Sequence, residues 1–349
     1  MSCQSVTNRP RNPNSPTDSS NTLSAPTLRS SGSPMSDDTS LQIPFPYRRS
    51  AHGPYATELH RAWLTRHPLL ADPTHPSYAH WEVVDLAALG YPDAGPDELA
   101  LAADLMGFYF LFDDQFDGPL GRRPAEVAPI CDRLVAVLHG ARPDRNSPVE
   151  TAFADLWQRS VQGMPARWQA RAAYNWEYYL ASHPAEAAGR ISPRPPDRAG
   201  YQVLRRGTAA METIFDMVER LGHFEVPPAV LHHPVLRQIR QLAADIPSLT
   251  NDVRSFPLEA PRGDVNNLVM IVQRERDCSA ESACAVVMAE AQLMAERCRE
   301  LYERLPDVYR ELGLARVERI VAQRYADGLV TWLAGYLSWE RRTGRYQEA

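Results

Sequence analysis

Three carboxylates lie within five residues of one another in the segment 113–117, which reads Asp-Asp-Gln-Phe-Asp. On a helix, Asp113 and Asp117 are one turn apart, about 6 Å along the axis, and share a face. Like charges at that spacing repel each other, and a divalent cation relieves the repulsion. Mg²⁺ commonly binds one or two carboxylates together with phosphate oxygens of a substrate. The segment therefore predicts a magnesium site, with a solvated acidic helix end as the alternative.

A second group of oxygen donors follows more than a hundred residues later. Asn251, Ser255 and Glu259 are spaced at i, i+4 and i+8, so on a helix they form one row. An amide oxygen, a hydroxyl and a carboxylate suit an ion that arrives with its phosphate. The alternative is an ordinary polar helix face. Pro257 lies inside this predicted helix, where proline favours a kink that would displace Glu259 from the row.

From Pro44 onward, apolar residues recur at three- and four-residue spacing, and no stretch alternates as a strand does. We therefore expect both groups of oxygen donors to lie on helices. Residues 99–112 are apolar on nearly every side and lead directly into Asp113, which predicts a central helix with carboxylates at its end. We predict one all-α domain of about ten helices, residues 41–349. The apolar stretches are 99–112, 149–161, 201–221, 235–249, 268–272, 284–305 and 317–337.

Composition excludes several classes of protein. The net charge is -6 and no long basic run occurs, which argues against a nucleic-acid partner. No run of about 18 uncharged apolar residues and no secretory signal is seen, so we expect a cytoplasmic protein without a membrane span. The five cysteines lack CxxC pairing, which is typical of reduced thiols. The ten histidines lack a spacing such as HExxH, so we interpret them as exposed or packed.

The two groups of oxygen donors, at 113–117 and 251–259, resemble the metal-binding motifs of bacterial class I terpene synthases. The C-terminal pair Arg345-Tyr346 also resembles the sequence at the C-terminus of this family. The resemblance covers about residues 44–346. It implies a class I terpenoid synthase bundle of α-helices around a central active-site cavity. It also implies an enzyme that removes diphosphate from a linear isoprenyl diphosphate and cyclises the resulting carbocation to a terpene hydrocarbon or alcohol.

The resemblance implies a set of metal ligands. Three Mg²⁺ ions are expected, with Asp113 bridging two of them. Leu258 departs from the family, which often has Lys or Arg at that position. The implied ligands are Asp113, Asp114, Asp117, Asn251, Ser255 and Glu259.

The resemblance also implies roles around the substrate. The diphosphate sensor is expected at Arg205, with Arg206 as the fallback, because an arginine fork grips phosphate oxygens through several donors. Arg345 and Tyr346 are expected to hydrogen-bond the diphosphate as the C-terminus closes. The remaining implied positions are Thr208 and Ala209 as linker and effector, and Phe110, Tyr179 and Trp339 as aromatic residues of the pocket.

The sequence leaves alternatives open for the substrate of the enzyme and for the class of protein. Farnesyl diphosphate is the favoured substrate, and C20 geranylgeranyl diphosphate, which would make the enzyme a diterpene cyclase, is the alternative. A chain-elongating prenyltransferase carries two aspartate-rich motifs, and the Asn/Ser/Glu row decides against it. A non-catalytic helical binding protein that retains the fold is the alternative of another class. Isoprenyl diphosphate and diphosphate are the expected partners, and a homodimer is left open.

Residues 1–40 are rich in Ser, Pro, Asn and Thr, and we predict a disordered extension because such a segment buries too little apolar surface. Met35 offers an alternative start. Removing residues 1–34 is therefore expected to leave both the melting temperature and the turnover rate nearly unchanged. A fall in melting temperature of more than about 5 °C, on the order of 1–2 kcal/mol for a chain of this size, would contradict this.

Overall fold

The computed structural model of the protein describes residues 41–72 and 76–346, which form fifteen α-helices and three 3₁₀ turns without a β-strand. The helices are α1 Gly53–Arg66, α2 Pro76–Ala79, α3 Val83–Gly90, α4 Pro96–Asp113, α5 Pro124–Leu138, α6 Pro148–Val161, α7 Ala166–Arg190, α8 Arg198–Thr208, α9 Met211–Gly222, α10 Pro228–Leu231, α11 Pro234–Glu259, α12 Leu268–Arg276, α13 Ala280–Glu303, α14 Leu305–Glu311 and α15 Arg316–Glu340. The 3₁₀ turns are Asp114–Phe116, Pro119–Arg122 and Gly344–Tyr346. The predicted all-α fold is confirmed.

Proline and short polar side chains mark where many helices begin. A proline occupies one of the first two positions of α1, α4, α5, α6, α10, α11 and α14. It costs nothing there, because the missing N–H has no partner within the helix. Ser147, Asp197, Asn267 and Ser279 accept hydrogen bonds from backbone N–H groups of the first turns of α6, α8, α12 and α13.

Helix α4 lies at the centre of the fold, as the sequence predicted. Every residue from Leu99 to Phe112 is buried except Phe110, and the helix packs against α1, α3, α6 and α9. The chain leaves α4 at Asp113 and passes directly into a 3₁₀ turn. Asp113 and the carboxylates that follow it are therefore held at the end of a helix that packs against other helices on several sides.

Helix α11 continues through Pro247 and Pro257 to Glu259, so the predicted disturbance at Pro257 does not end the helix. A proline removes one backbone hydrogen bond of a helix interior. Packing against α12, α13 and α15 stabilises the helix despite this loss. Glu259 therefore remains on the same helix as Asn251.

The apolar stretch 201–221 is not one helix, because the chain breaks between α8 and α9. Ala210 has a φ of 57°, in the left-handed region that non-glycine residues seldom adopt. Thr213 Oγ donates a hydrogen bond of 2.7 Å to the Ala210 carbonyl, and Thr213 Oγ lies 2.7 Å from Tyr109 Oη. These contacts fix the break against α4.

Two other expectations differ from the structure or fall outside it. More helices are present in the described residues than the ten predicted, because the short helices α2, α10 and α14 have too few residues for a periodic pattern. The predicted extension at residues 1–40 lies outside the described residues. The four described cysteines are unpaired, and no described helix is long and apolar enough to cross a membrane.

Close approach of α3 and α15 depends on a glycine. A Cβ atom at Gly335 would lie 2.6 Å from the carbonyl oxygen of Leu89, which is backbone and cannot rotate away. Gly335→Ala is therefore expected to lower the free energy of unfolding by about 1–3 kcal/mol in denaturant titrations. Gly53→Ala is the matched control, because a Cβ there meets nothing within 4 Å. Equal stability of both variants would contradict close packing of these helices.

Candidate active site

A cavity of about 290 Å³ lies between α4, α8, α9, α11 and α15. One part of its wall is apolar and aromatic, and includes Leu86, Met106, Tyr109, Phe110, Tyr179, Met211, Ile214 and Trp332. Another part is charged or polar, and includes Asp113, Asp114, Asp117, Arg205, Asn251, Ser255, Glu259, Arg262, Arg345 and Tyr346. Both predicted groups of oxygen donors therefore line the same cavity, beside its apolar wall.

The carboxylates that follow α4 are in an electrostatically unfavourable environment. Partial burial and the nearby charges of Glu186 and Asp114 raise the pKa of Asp113 to about 7, and 45% of its side chain remains exposed. Partial burial and the charges of Asp113 and Asp114 raise the pKa of Asp117 to about 6. Arginines compensate only part of this charge. Asp117 is about half exposed, and its Oδ2 lies 3.6 Å from the guanidinium of Arg262.

On the opposite wall, α11 presents its row of oxygen donors to the cavity. Asn251 Oδ1 accepts a hydrogen bond of 2.6 Å from Arg205 Nη2. Ser255 Oγ is buried and has no hydrogen-bond partner among the described residues. Burial and the charge of Asp252 raise the pKa of Glu259 to about 7. This wall thus has one unsatisfied oxygen and one carboxyl that ionises reluctantly.

The C-terminal segment joins the two walls. Arg345 donates hydrogen bonds of 2.5 and 3.2 Å to the two carboxylate oxygens of Asp114. Asn251 Nδ2 donates a hydrogen bond of 2.6 Å to Tyr346 Oη. The guanidinium carbon of Arg345 lies 4.5 Å from the ring centroid of Trp81 and 4.4 Å from that of Phe110. One short segment therefore contacts both motifs and covers aromatic faces of the cavity.

The structure brings most of the predicted residues to this cavity. The predicted residues that line it are Phe110, Asp113, Asp114, Asp117, Tyr179, Arg205, Thr208, Ala209, Asn251, Ser255, Glu259, Arg345 and Tyr346. Their roles remain predictions.

Arg206 and Trp339 are not part of this wall. Arg206 forms two hydrogen bonds of 2.8 and 2.7 Å with the carboxylate of Asp245, because it projects about 100° around α8 from Arg205. Trp339 is buried and stacks behind Phe110 at a centroid distance of 5.6 Å, with its Nε1 donating to the backbone. The structure therefore assigns Arg206 to an ion pair and Trp339 to the support of Phe110.

Asp252 is a site residue that sequence reasoning passed over although it lies within the second motif. Its Oδ1 accepts a hydrogen bond of 3.2 Å from Arg205 Nε. Its Oδ2 accepts from Tyr201 Oη at 2.5 Å and from the Leu268 backbone N–H at 2.9 Å. Asp252 thereby fixes the orientation of Arg205 and the start of α12.

Glu340 was also missed. Tyr336 Oη and Thr250 Oγ donate hydrogen bonds of 3.0 and 3.1 Å to Glu340 Oε1. Glu340 is buried, and burial raises its pKa to about 7. Because Tyr336 lines the cavity and Thr250 precedes Asn251, Glu340 links α15 to the segment of α11 that carries Asn251.

Helix α7 supplies a third polar face that was not predicted. His183 and Glu186 lie beside Asp113, and their ligand atoms fall within 4.8 Å of one another. Burial lowers the pKa of His183 to about 3, so the imidazole is neutral. Arg190 Nη2 lies 3.2 Å from Glu186 Oε2, and Arg190 Nε lies 3.1 Å from Asp264 Oδ2. The signal available in the sequence was His and Glu at i and i+3 on one predicted helix face.

The residues present fit a divalent cation that prefers oxygen ligands. Carboxyl groups with raised pKa values indicate negative charge that the protein alone does not fully compensate. The unsatisfied oxygen of Ser255 offers a further ligand on the opposite wall. A cation at either wall would relieve these unfavourable energies.

Comparison with known proteins establishes the family. Residues 104–337 match the family described as "Terpene synthase family 2, C-terminal metal binding". The chain is 36% identical over 315 residues to pentalenene synthase of Streptomyces arenae, covering 89% of this chain and 94% of that protein. It is 36% identical over 318 residues to (-)-beta-caryophyllene synthase of Saccharothrix espanaensis, covering 88% of each.

A solved structure agrees with this relationship. Germacradien-4-ol synthase from Streptomyces citricolor is 60% identical, with a TM-score of 0.82 over 88% of this chain and 99% of that chain. The chain therefore belongs to the terpene synthase family, and it is a metal-dependent class I terpene synthase that acts on an isoprenyl diphosphate. The predicted family, fold class and enzyme class are confirmed, and the non-catalytic alternative is set aside.

The raised pKa values predict a dependence on pH. Asp113 and Glu259 have pKa values of about 7 in the folded protein, against ordinary values of 3.8 and 4.5. Stability from a raised carboxyl pKa is fully present below the ordinary value and is lost as the pH rises through about 7. We therefore expect the metal-free protein to melt at lower temperature at about pH 8 than at about pH 6, while Mg²⁺ binds more tightly because its ligands must be deprotonated.

Asp113→Asn tests the assignment, because it removes one of the carboxyl groups whose pKa is raised into this range. The variant is expected to show a smaller change of melting temperature and of Mg²⁺ affinity across this pH range. Asp132→Asn replaces an exposed aspartate and serves as the matched control. Calorimetric titrations with Mg²⁺ at several pH values provide the measurement. A Mg²⁺ affinity independent of pH would contradict the prediction.

Proposed function

We propose that the protein is a sesquiterpene cyclase that uses farnesyl diphosphate. The observation that carries the proposal is a single cavity in which an apolar wall meets two rows of oxygen donors and three arginines. Relatives support the substrate, since the similar caryophyllene and eudesmol synthases are described as cyclising (2E,6E)-farnesyl diphosphate. The cavity volume of about 290 Å³ lies close to the roughly 300–1,000 Å³ range of small-molecule sites.

Mg²⁺ is the proposed metal, with three ions in each site. The residues that would hold the ions are Asp113 and Asp117 on one wall and Asn251, Ser255 and Glu259 on the other. When bound, the ions supply positive charge that neutralises the diphosphate leaving group. Asp114 contributes less directly, because its carboxylate is engaged by Arg345.

The basic residues of the chain would bind and orient the diphosphate. Arg205 lines the cavity, and its guanidinium is already held in orientation by Asn251 and Asp252. Arg345 would exchange its contact with Asp114 for phosphate oxygens, and Tyr346 would add a phenol donor. Charge-assisted hydrogen bonds of this kind favour departure of the anion because they strengthen as negative charge develops.

The apolar wall would fold the farnesyl chain and limit contact with water after ionisation. We propose a cyclic sesquiterpene hydrocarbon or alcohol as product. Germacradien-4-ol is the first compound to look for, because a synthase of that alcohol is 60% identical to this chain.

Incubation with C10, C15 and C20 isoprenyl diphosphates in the presence of Mg²⁺ tests the proposal. We expect the C15 substrate to give cyclic products by gas chromatography with mass spectrometry, together with one released diphosphate per turnover. Asp113→Asn is expected to lose most of this turnover, whereas the exposed control Asp132→Asn keeps it. Cyclic products from the C20 substrate alone would contradict the proposed substrate. Full activity of Asp113→Asn would contradict the proposed metal ligand.

A further inference from the structure

The turn at His80 and Trp81, between α2 and α3, contacts the C-terminal segment. The backbone N–H of Gly344 donates a hydrogen bond of 2.8 Å to the His80 carbonyl. Thr343 Oγ1 donates a hydrogen bond of 3.0 Å to the Trp81 carbonyl. The indole ring of Trp81 lies 4.5 Å from the guanidinium carbon of Arg345. The position of this turn therefore determines where the Arg345 guanidinium lies in the cavity.

Helix α2 is too short to hold that turn by itself. It has four residues, whereas isolated helices below about 12–15 residues are marginal in water. Among its described side chains, Tyr78 is buried, while Ser77 and Ala79 are exposed. The Trp81 backbone N–H donates a hydrogen bond of 3.1 Å to the Tyr78 carbonyl, and the two rings lie 5.2 Å apart. Contacts that fix Tyr78 therefore also fix Trp81.

A chain of buried polar side chains ends at the Tyr78 hydroxyl. Tyr78 Oη lies 2.7 Å from His60 Nε2, and His60 Nδ1 lies 2.8 Å from Asp104 Oδ1. Both terminal nitrogens of Arg159 donate hydrogen bonds, of 2.8 and 2.7 Å, to Asp104 Oδ2. When the imidazole is neutral, Nδ1 donates to the carboxylate, and Nε2 accepts a hydrogen bond from the Tyr78 hydroxyl. The chain thus gives Tyr78 one defined orientation.

Helix α4 leaves space for this chain through a glycine. A Cβ atom at Gly107 would lie 2.7 Å from His60 Cε1 and 2.8 Å from Tyr78 Oη. Glycine is less favourable than alanine in a helix interior, and here it permits the contact between His60 and Tyr78. Phe110 is one turn further along the same face, and its ring lies 4.4 Å from the Arg345 guanidinium carbon. One face of α4 therefore supports both aromatic contacts of Arg345.

We propose that Tyr78 is a positioning residue for the diphosphate end of the cavity. Its hydroxyl, held by His60, fixes the turn at Trp81 and thereby the place from which Arg345 reaches the diphosphate. This inference rests on the proposed function, in which Arg345 binds the diphosphate. Loss of the hydroxyl would leave a buried nitrogen of His60 without a partner, an arrangement that native proteins seldom contain. We then expect α2 to shift so that water reaches this nitrogen, which moves the Trp81 ring away from Arg345.

Calorimetric binding of inorganic diphosphate in the presence of Mg²⁺ tests the proposal. Tyr78→Phe keeps the ring and is expected to weaken diphosphate binding about 3–10-fold, because Arg345 loses its contact with the face of Trp81. In an Arg345→Ala background, the same change is expected to alter the affinity by less than about twofold, because Tyr78 acts through Arg345. Equal weakening in both backgrounds would show that Tyr78 acts through general stability, and would overturn the proposal.

Tyr302→Phe is the matched control. It removes the hydroxyl of a partly buried tyrosine that donates a hydrogen bond to Asp327, and Tyr302 does not line the cavity. We expect it to lower the melting temperature to an extent similar to Tyr78→Phe and to leave the diphosphate affinity unchanged. The same loss of affinity in both variants would overturn the positioning role. Absence of diphosphate binding by the wild type would instead contradict the proposed function.

Hydrogen exchange without any ligand gives a second measurement, which does not depend on the proposed function. The hydrogen bond from the Gly344 N–H to the His80 carbonyl protects that amide while the C-terminal segment contacts the turn. Tyr78→Phe is expected to accelerate exchange in residues 341–346 by about threefold or more, because the contact opens more often. Tyr302→Phe is expected to leave this exchange at the wild-type rate. Unchanged exchange in Tyr78→Phe would show that the turn is held without the Tyr78 hydroxyl, and would overturn the proposal.

Discussion

Uncompensated negative charge beside an apolar cavity is the constraint on which this structure depends. Asp113 and Glu259 have pKa values near 7 because burial and neighbouring carboxylates penalise their ionised forms. The protein compensates part of that charge with Arg345, Arg205 and Arg262. In the proposed function, an anionic diphosphate competes for the same arginines, which leaves the carboxylates free for metal ions. Substrate and metal would therefore favour each other's binding within one cavity.

The aromatic wall is subject to the same exchange. The guanidinium of Arg345 lies over the rings of both Trp81 and Phe110, which meet edge to face at a centroid distance of 6.3 Å. A ring face that binds a guanidinium can also bind a carbocation, since both interactions arise from the ring quadrupole. In the proposed function Arg345 turns to the diphosphate, and these faces then become available to the substrate chain. Trp339 contributes by holding Phe110 in place from behind.

Local periodicity allowed much of the fold and of the site to be predicted. Helix α4 was predicted because nearly all of its residues are apolar, and the α11 row because its spacing matches one helix face. Pro257 does not interrupt α11, since tertiary packing stabilises the helix where local preference opposes it. The break at Ala210 could not be predicted, because alanine rarely adopts a positive φ and the break depends on contacts with α4.

The α7 face shows why the other residues of the site could not be predicted from the sequence. His183 and Glu186 acquire a chemical context only when α7 packs beside the end of α4, and no spacing along the chain encodes that distance. Asp252 illustrates the same limit within a recognised motif. A helix presents Asn251 and Ser255 to the cavity and turns Asp252 by about 100°, toward Arg205 and the start of α12. One segment of α11 thus presents oxygen donors to the cavity and also holds the guanidinium of Arg205 in place, so both features depend on the same helix.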